Sequence, residues 1–124
     1  MSIRLIVNAD DYGRTAAVSR GVRTAHLNGI VTSTSCMMNM PSVVEDIRIA
    51  LQETPRLRMG VHLVLTSGLP LLPALHVPSL VASYGMFFTA DEFLARLQEI
   101  DPVQVKAEWR AQIERFIATA GHPP

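Results

Sequence analysis

Three short apolar runs, Arg4 to Ala9, Ile30 to Met38 and Leu57 to Leu65, are separated by stretches whose apolar residues recur at helical spacing. A continuous apolar run suits a strand buried among neighbours. Two such strands joined through a helix pair in parallel, by a right-handed crossover. The order predicts an α/β architecture with both faces of the sheet covered. The first helix runs from Thr15 with Val18, Val22 and Ala25 inward and stops at Asn28-Gly29. The second opens at Pro41 and Ser42, turns Val44, Ile47 and Leu51 inward, and is broken by Pro55.

After the third run the pattern loosens. Ser67 to Phe88 carries Pro70, Pro73 and Pro78 among leucines without a period, which predicts a long ordered loop that covers something. Thr89 with Glu92 three residues on spells a capping box for a short helix containing Phe93, Leu94 and Leu97. Asp101 and Pro102 cap and start a last helix, with Val105, Trp109, Ile113, Phe116 and Ala120 as its apolar stripe and Gly121 as its stop.

At 124 residues and 48% hydrophobic, the chain is one domain with material for a core. Eleven basic residues balance eleven acidic ones with no basic run, which argues against nucleic acid as a partner. Cys36 is the lone cysteine, set among core-like neighbours, so no internal disulfide can form and a reducing cytoplasm fits. Met1 to Val7 is too short for a signal peptide or a membrane span. The expectation is a soluble cytoplasmic protein with no membrane partner.

In parallel α/β folds the chemistry gathers at the C-terminal ends of the strands. Asn8, Asp10, Asp11 and His62 map there. Neighbouring carboxylates on an extended chain point apart, so one can ligate a metal while the other acts as a base. His62, on the same side of its strand as Gly60 and Val64, is the candidate imidazole. A divalent ion held by a carboxylate and imidazoles suits hydrolysis. The plainer alternatives are that Asp-Asp-Tyr-Gly is only a turn capping the next helix, and that His62 is a satisfied core histidine. His26, His76 and His122 read as surface or capping residues. Tyr84 and Phe87 are either stacking surfaces for a ligand or packing residues.

Asn8-Ala9-Asp10-Asp11-Tyr12-Gly13, Asn28-Gly29-Ile30-Val31-Thr32-Ser33-Thr34 and Gly60-Val61-His62-Leu63-Val64-Leu65-Thr66 follow one another in order. Together they resemble the successive signatures of the YdjC-like (chitooligosaccharide deacetylase) carbohydrate deacetylases, with Tyr12 where Phe is more usual. The resemblance covers essentially the whole chain. It implies a (β/α) barrel of the polysaccharide-deacetylase type, present here over residues 1–124 as a partial barrel of about three β/α units. It also implies a hydrolase removing acetyl groups from N-acetylated amino sugars with a divalent metal, Mg or Zn. Carried over residue by residue, Asp10 is the general base and Asp11 and His62 are metal ligands. Family members continue into a histidine-rich stretch that brings a third ligand, which would lie beyond Pro124. From this follow two expectations: the chain alone is poorly active, and it forms a homo-oligomer that covers its strand edges.

Two rivals come from other classes. A phosphoacceptor receiver domain also places paired acids after its first strand, but its third strand should end in Asp. Here that place holds His62, and no Asp lies between Asp46 and Asp91. Lys106, the only lysine, falls inside a helix. The second rival is a fragment that folds and self-associates without chemistry of its own.

Overall fold

The computed structural model describes residues 3–124; Met1 and Ser2, the start of the stretch read as too short for a signal peptide, lie outside the described residues. Strand β1 is Asn8–Tyr12, helix α1 Ala16–Asn28, β2 Ser33–Cys36, α2 Val43–Glu53 and β3 Arg58–Val61. Short 3-10 turns at Ala74–His76 and Leu97–Glu99 flank α3, Ala90–Ala95, and α4 is Pro102–Ala120. The three strands form one parallel sheet in the order β1-β2-β3, with Ser33 opposite Arg58 and Ser35 opposite Gly60. A receiver-like doubly wound sheet puts its first strand between the second and third. Here β2 is central, which removes that rival.

The strands are shorter than the apolar runs. Val7 donates its N–H to the Thr32 hydroxyl rather than to a carbonyl, so the ladder begins one residue later, at Asn8. Ile3, Leu5 and Ile6 are left largely exposed. At the far end Met37 N–H turns back to Tyr12 O and β2 stops, so β3 has a neighbour only as far as the bond from His62 N–H to Cys36 O. His62 therefore lies just beyond β3. The expected alternation fails there: Val64 is buried while Leu63 is exposed.

Helices cover only one face of the sheet. α1 packs on β1, α4 on β3, and α2 on both of those helices, over a core that includes Tyr12, Cys36, Met38, Ile47, Met59 and Phe116. The opposite face carries Asn8, Asp10, Ser33 and Ser35, exposed or half-buried, so the expectation of two covered faces is corrected. The six polar side-chain atoms of these residues prefer water or one another to a helix.

The helical faces are also rotated from the apolar stripes. α1 turns Ser19, Val22 and Arg23 inward, and α2 turns Val43, Asp46, Ile47 and Ala50, leaving Leu51 exposed. On α4 the buried positions are Glu108, Gln112 and Phe116, while Trp109 is exposed. Polar groups go inside because the long loop between β3 and α3 needs partners. Glu108 accepts from Leu71 and Leu72 N–H at 2.9 and 3.0 Å, and Gln104 accepts from Ser79 N–H at 2.8 Å. The long loop is ordered as expected. It contributes Val77, Leu80 and Phe87 to the core, so Phe87 is a packing residue, whereas Tyr84 is exposed. The Thr89–Glu92 capping box and the Asp101 cap both form, and Gly121 ends α4 in the left-handed conformation.

Candidate functional site

The pairing of β1 with β2 breaks between Ala9 and Tyr12, where two residues, Asp10 and Asp11, stand against the single Ser35. This is a β-bulge, and it changes the geometry available to the two acids. Asp11 takes φ 64°, the only described residue other than glycine with positive φ. Asp tolerates the left-handed region better than most residues, yet such a conformation in a sheet is held only by its surroundings. The bulge also undoes the strict alternation that would have sent neighbouring carboxylates to opposite faces.

Asp10 is fixed by donors. Asn8 Nδ2 and Ser35 Oγ donate to its Oδ1 at 2.8 and 2.9 Å, and Ser33 Oγ orients Asn8 by donating to Asn8 Oδ1 at 2.8 Å. Both strands thus hold one carboxylate oxygen, and Oδ2 takes no hydrogen bond within the described residues.

Asp11 does something different. Its Oδ2 accepts from Arg14 Nη1 at 3.0 Å, and its Oδ1 lies 3.3 Å from His62 Nδ1. That nitrogen is buried and makes no hydrogen bond, so the approach is close without being aligned as a donor–acceptor pair. Two ligands about 2.1 Å from a common ion, at octahedral to tetrahedral angles, sit about 3.0–3.4 Å apart. The carboxylate–imidazole pair has the spacing and the chemistry of two such ligands. Among the described residues no group of three or more His, Cys, Asp or Glu side chains gathers at one place, so these residues form at most a two-donor portion of a metal site.

Asp-Asp-Tyr-Gly does end in a turn, with Arg14 N–H donating to Asp11 O at 3.0 Å, but its acids do not cap the following helix. Thr15, not either acid, caps α1 by accepting from Val18 N–H. Gly13, at φ 87°, lets the turn press against α2; a Cβ there would sit 2.4 Å from Val43 Cγ2. Tyr12 is locked beneath the site: its hydroxyl donates to Asp46 O at 2.6 Å and accepts from Arg23 Nη1 at 3.0 Å. Burial pushes the phenol above its usual value, against the opposing pull of Arg23.

The other histidines stand apart. His26 Nδ1 meets Val31 O at 2.7 Å, His76 ends a 3-10 turn, and His122 packs edge-on to Phe116. Cys36 is buried in the core, its thiol pushed up to about 12 by desolvation, as suits a structural residue. No helix among the described residues is long and apolar enough to cross a membrane. Sequence reasoning missed Asn8 and Ser35 as the holders of Asp10 and Arg14 as the second partner of Asp11. The serine-rich second strand was visible, but nothing in it gave the bulge register that brings Ser35 to Asp10.

Comparison with known proteins places these residues in context. A family model described as YdjC-like protein matches residues 4–124. A carbohydrate deacetylase from Oceanobacillus iheyensis is 44% identical over 120 residues, covering 94% of this chain and 49% of that protein. One from Enterococcus faecalis is 39% identical, covering 97% of this chain and 45% of its own length. A crystal structure from Enterococcus faecalis V583, provisionally described as a cellobiose-phosphate cleavage protein, superposes with a TM-score of 0.89 at 40% identity. It covers 96% of this chain and 45% of that one. The chain spans about half the length of the curated relatives it matches.

Proposed function

The chain belongs to the YdjC-like family, and from that premise we propose that it carries the N-terminal portion of a metal-dependent carbohydrate deacetylase site acting on N-acetylated amino sugars. The observation that carries this reading is the 3.3 Å approach of Asp11 Oδ1 to the unpartnered His62 Nδ1. Asp11 and His62 would hold a divalent ion, Mg or Zn, which when bound polarises the acetamide carbonyl and makes water more acidic. Imidazole with carboxylate favours Zn among the candidates, and a third donor would complete the set.

Asp10 is the general base. With Oδ1 held by Asn8 and Ser35, its Oδ2 is the oxygen placed to take the proton of the attacking water. Water adds to the acetamide carbonyl, the tetrahedral adduct collapses with cleavage of the C–N bond, and the proton taken up by Asp10 passes to the departing nitrogen, so that acetate and a free amine leave. Arg14 holds the second oxygen of Asp11 and leaves Oδ1 facing His62.

The open polar face and the sequential β1-β2-β3 order support reading the sheet as a segment of a (β/α) barrel, whose inner face would hold the substrate. Ile3, Leu5 and Ile6, exposed before β1, support a homo-oligomer that covers that edge. The buried, unpaired Cys36 supports a cytoplasmic setting. That no group of three or more such donors gathers among the described residues favours a second reading, a fragment without activity by itself.

Acetate release from N-acetylglucosamine oligosaccharides tests the proposal, on the chain alone and on the chain joined to the second half of the Oceanobacillus iheyensis relative. The chain alone should release little acetate and the joined protein should release it with divalent metal. Activity that survives both Asp10→Asn and His62→Ala in the joined protein would refute the assignment.

A further inference from the structure

Just past His62, β3 has lost its neighbouring strand. Val64, two residues on, still has both backbone groups paired. Its N–H donates to Gln112 Oε1 at 2.9 Å, and Gln112 Nε2 donates to Val64 O at 2.8 Å. One side-chain amide from α4 thus satisfies both groups of Val64, as a strand neighbour would. Gln112 is fully buried, and its remaining amide hydrogen goes to Glu108 Oε1 at 2.9 Å. That third bond fixes which end of the amide is the donor, so the group cannot flip without losing bonds.

His62 is therefore held from both sides. Its own N–H is bonded to Cys36 O at 2.9 Å, and Val64 is clamped by Gln112, leaving only Leu63 between. We propose that Gln112 is a positioning residue of the metal site, acting through Val64 to keep the His62 imidazole against Asp11. This rests on the reading of Asp11 and His62 as metal ligands. The buried amide meets the need of the Val64 backbone for partners where β2 has ended, and that need arises two residues from His62. Groups that orient a ligand without touching the ion commonly set affinity about 10–100-fold.

The test uses Zn2+ alone, titrated into the 124-residue chain by calorimetry, with Gln112→Leu, His62→Ala and Gln104→Ala. Gln104→Ala releases the loop at Ser79 and serves as the control for general loosening. Gln112→Leu, measured where it is folded, should bind Zn2+ about 10-fold or more weakly, and Gln104→Ala should bind as the parent chain does. Because coupling is reciprocal, Zn2+ should also slow amide exchange at Val64 in the unaltered chain, and far less at Leu71 and Leu72, which Glu108 holds. The exchange measurement decides if Gln112→Leu does not fold. Parent-like Zn2+ affinity in Gln112→Leu, with affinity lost in His62→Ala, overturns the role of Gln112 and leaves the metal site standing. So does equal slowing at all three amides. Parent-like affinity in His62→Ala overturns both.

Discussion

His62 Nδ1 and Asp11 Oδ1 approach to 3.3 Å from two different strand ends, with β2 between their strands. Neither the short strand β3 nor the turn after β1 would produce this alone. The bulge at Asp10–Asp11 swings one acid toward the end of β3, and the bond from His62 N–H to Cys36 O brings the imidazole to meet it. Arg14 occupies the other oxygen of Asp11, so the oxygen left for His62 is fixed.

Asp11 sits at φ 64°, where Asn is tolerated nearly as well as Asp. Its pair with Arg14 is part-exposed and worth at most about 1 kcal/mol. Asp11→Asn should therefore change stability by less than about 1 kcal/mol, while Asp11→Val should cost about 1–2 kcal/mol more from the left-handed backbone. Urea unfolding of the two variants checks the order.

Tyr12→Phe keeps the ring but takes the acceptor from Arg23 and the donor from Asp46 O, both in buried surroundings. The loss should be about 1–3 kcal/mol, read as a lower urea midpoint at unchanged slope. An unaltered midpoint would show that water replaces the hydroxyl without loss.

Gly60 stands opposite Ser35 on the open face, and a Cβ there meets no atom within 4 Å. Gly60→Ala should leave stability within about 0.5 kcal/mol, yet place a methyl group on the face that carries Asp10. In the chain joined to a relative's second half, acetate release should fall, with KM raised more than kcat is lowered.

Alkaline pH should loosen the fold. The Cys36 thiol is pushed up to about 12 by burial from an unfolded value of 9.0. Below pH 9.0 both states keep the proton and the stability is fully present. Above it the unfolded chain ionises first, and stability falls by up to about 1.4 kcal/mol per pH unit until the folded thiol titrates. The buried Tyr12 phenol, also raised, adds to the fall above its ordinary value of 10.0. Urea midpoints at pH 8 and 10.5 should differ, and Cys36→Ala should flatten the difference even as it lowers both values.

Periodicity and punctuation carried the α/β order, the capping box at Thr89 and the stop at Gly121, because each depends on local chemistry. The inner faces of α1, α2 and α4 did not follow from apolar spacing. Arg23, Asp46, Glu108 and Gln112 are buried because backbone and side-chain groups far away in sequence need partners. Asp10, Asp11 and His62 stood out by residue type at strand ends. The bulge that reconciles two neighbouring acids with one site is a register feature between β1 and β2, invisible in either strand read alone.

Zn2+ titration of the 124-residue chain, followed by calorimetry and by the ring-nitrogen signals of His62, tests most directly the proposal that Asp11 and His62 share a cation. One ion per chain should bind, more weakly than at a three-ligand protein site, with His62 Nδ1 shifting on binding and affinity lost in both Asp11→Asn and His62→Ala. Binding that leaves the His62 signals unmoved, or that persists in both variants, would contradict a cation shared by Asp11 and His62.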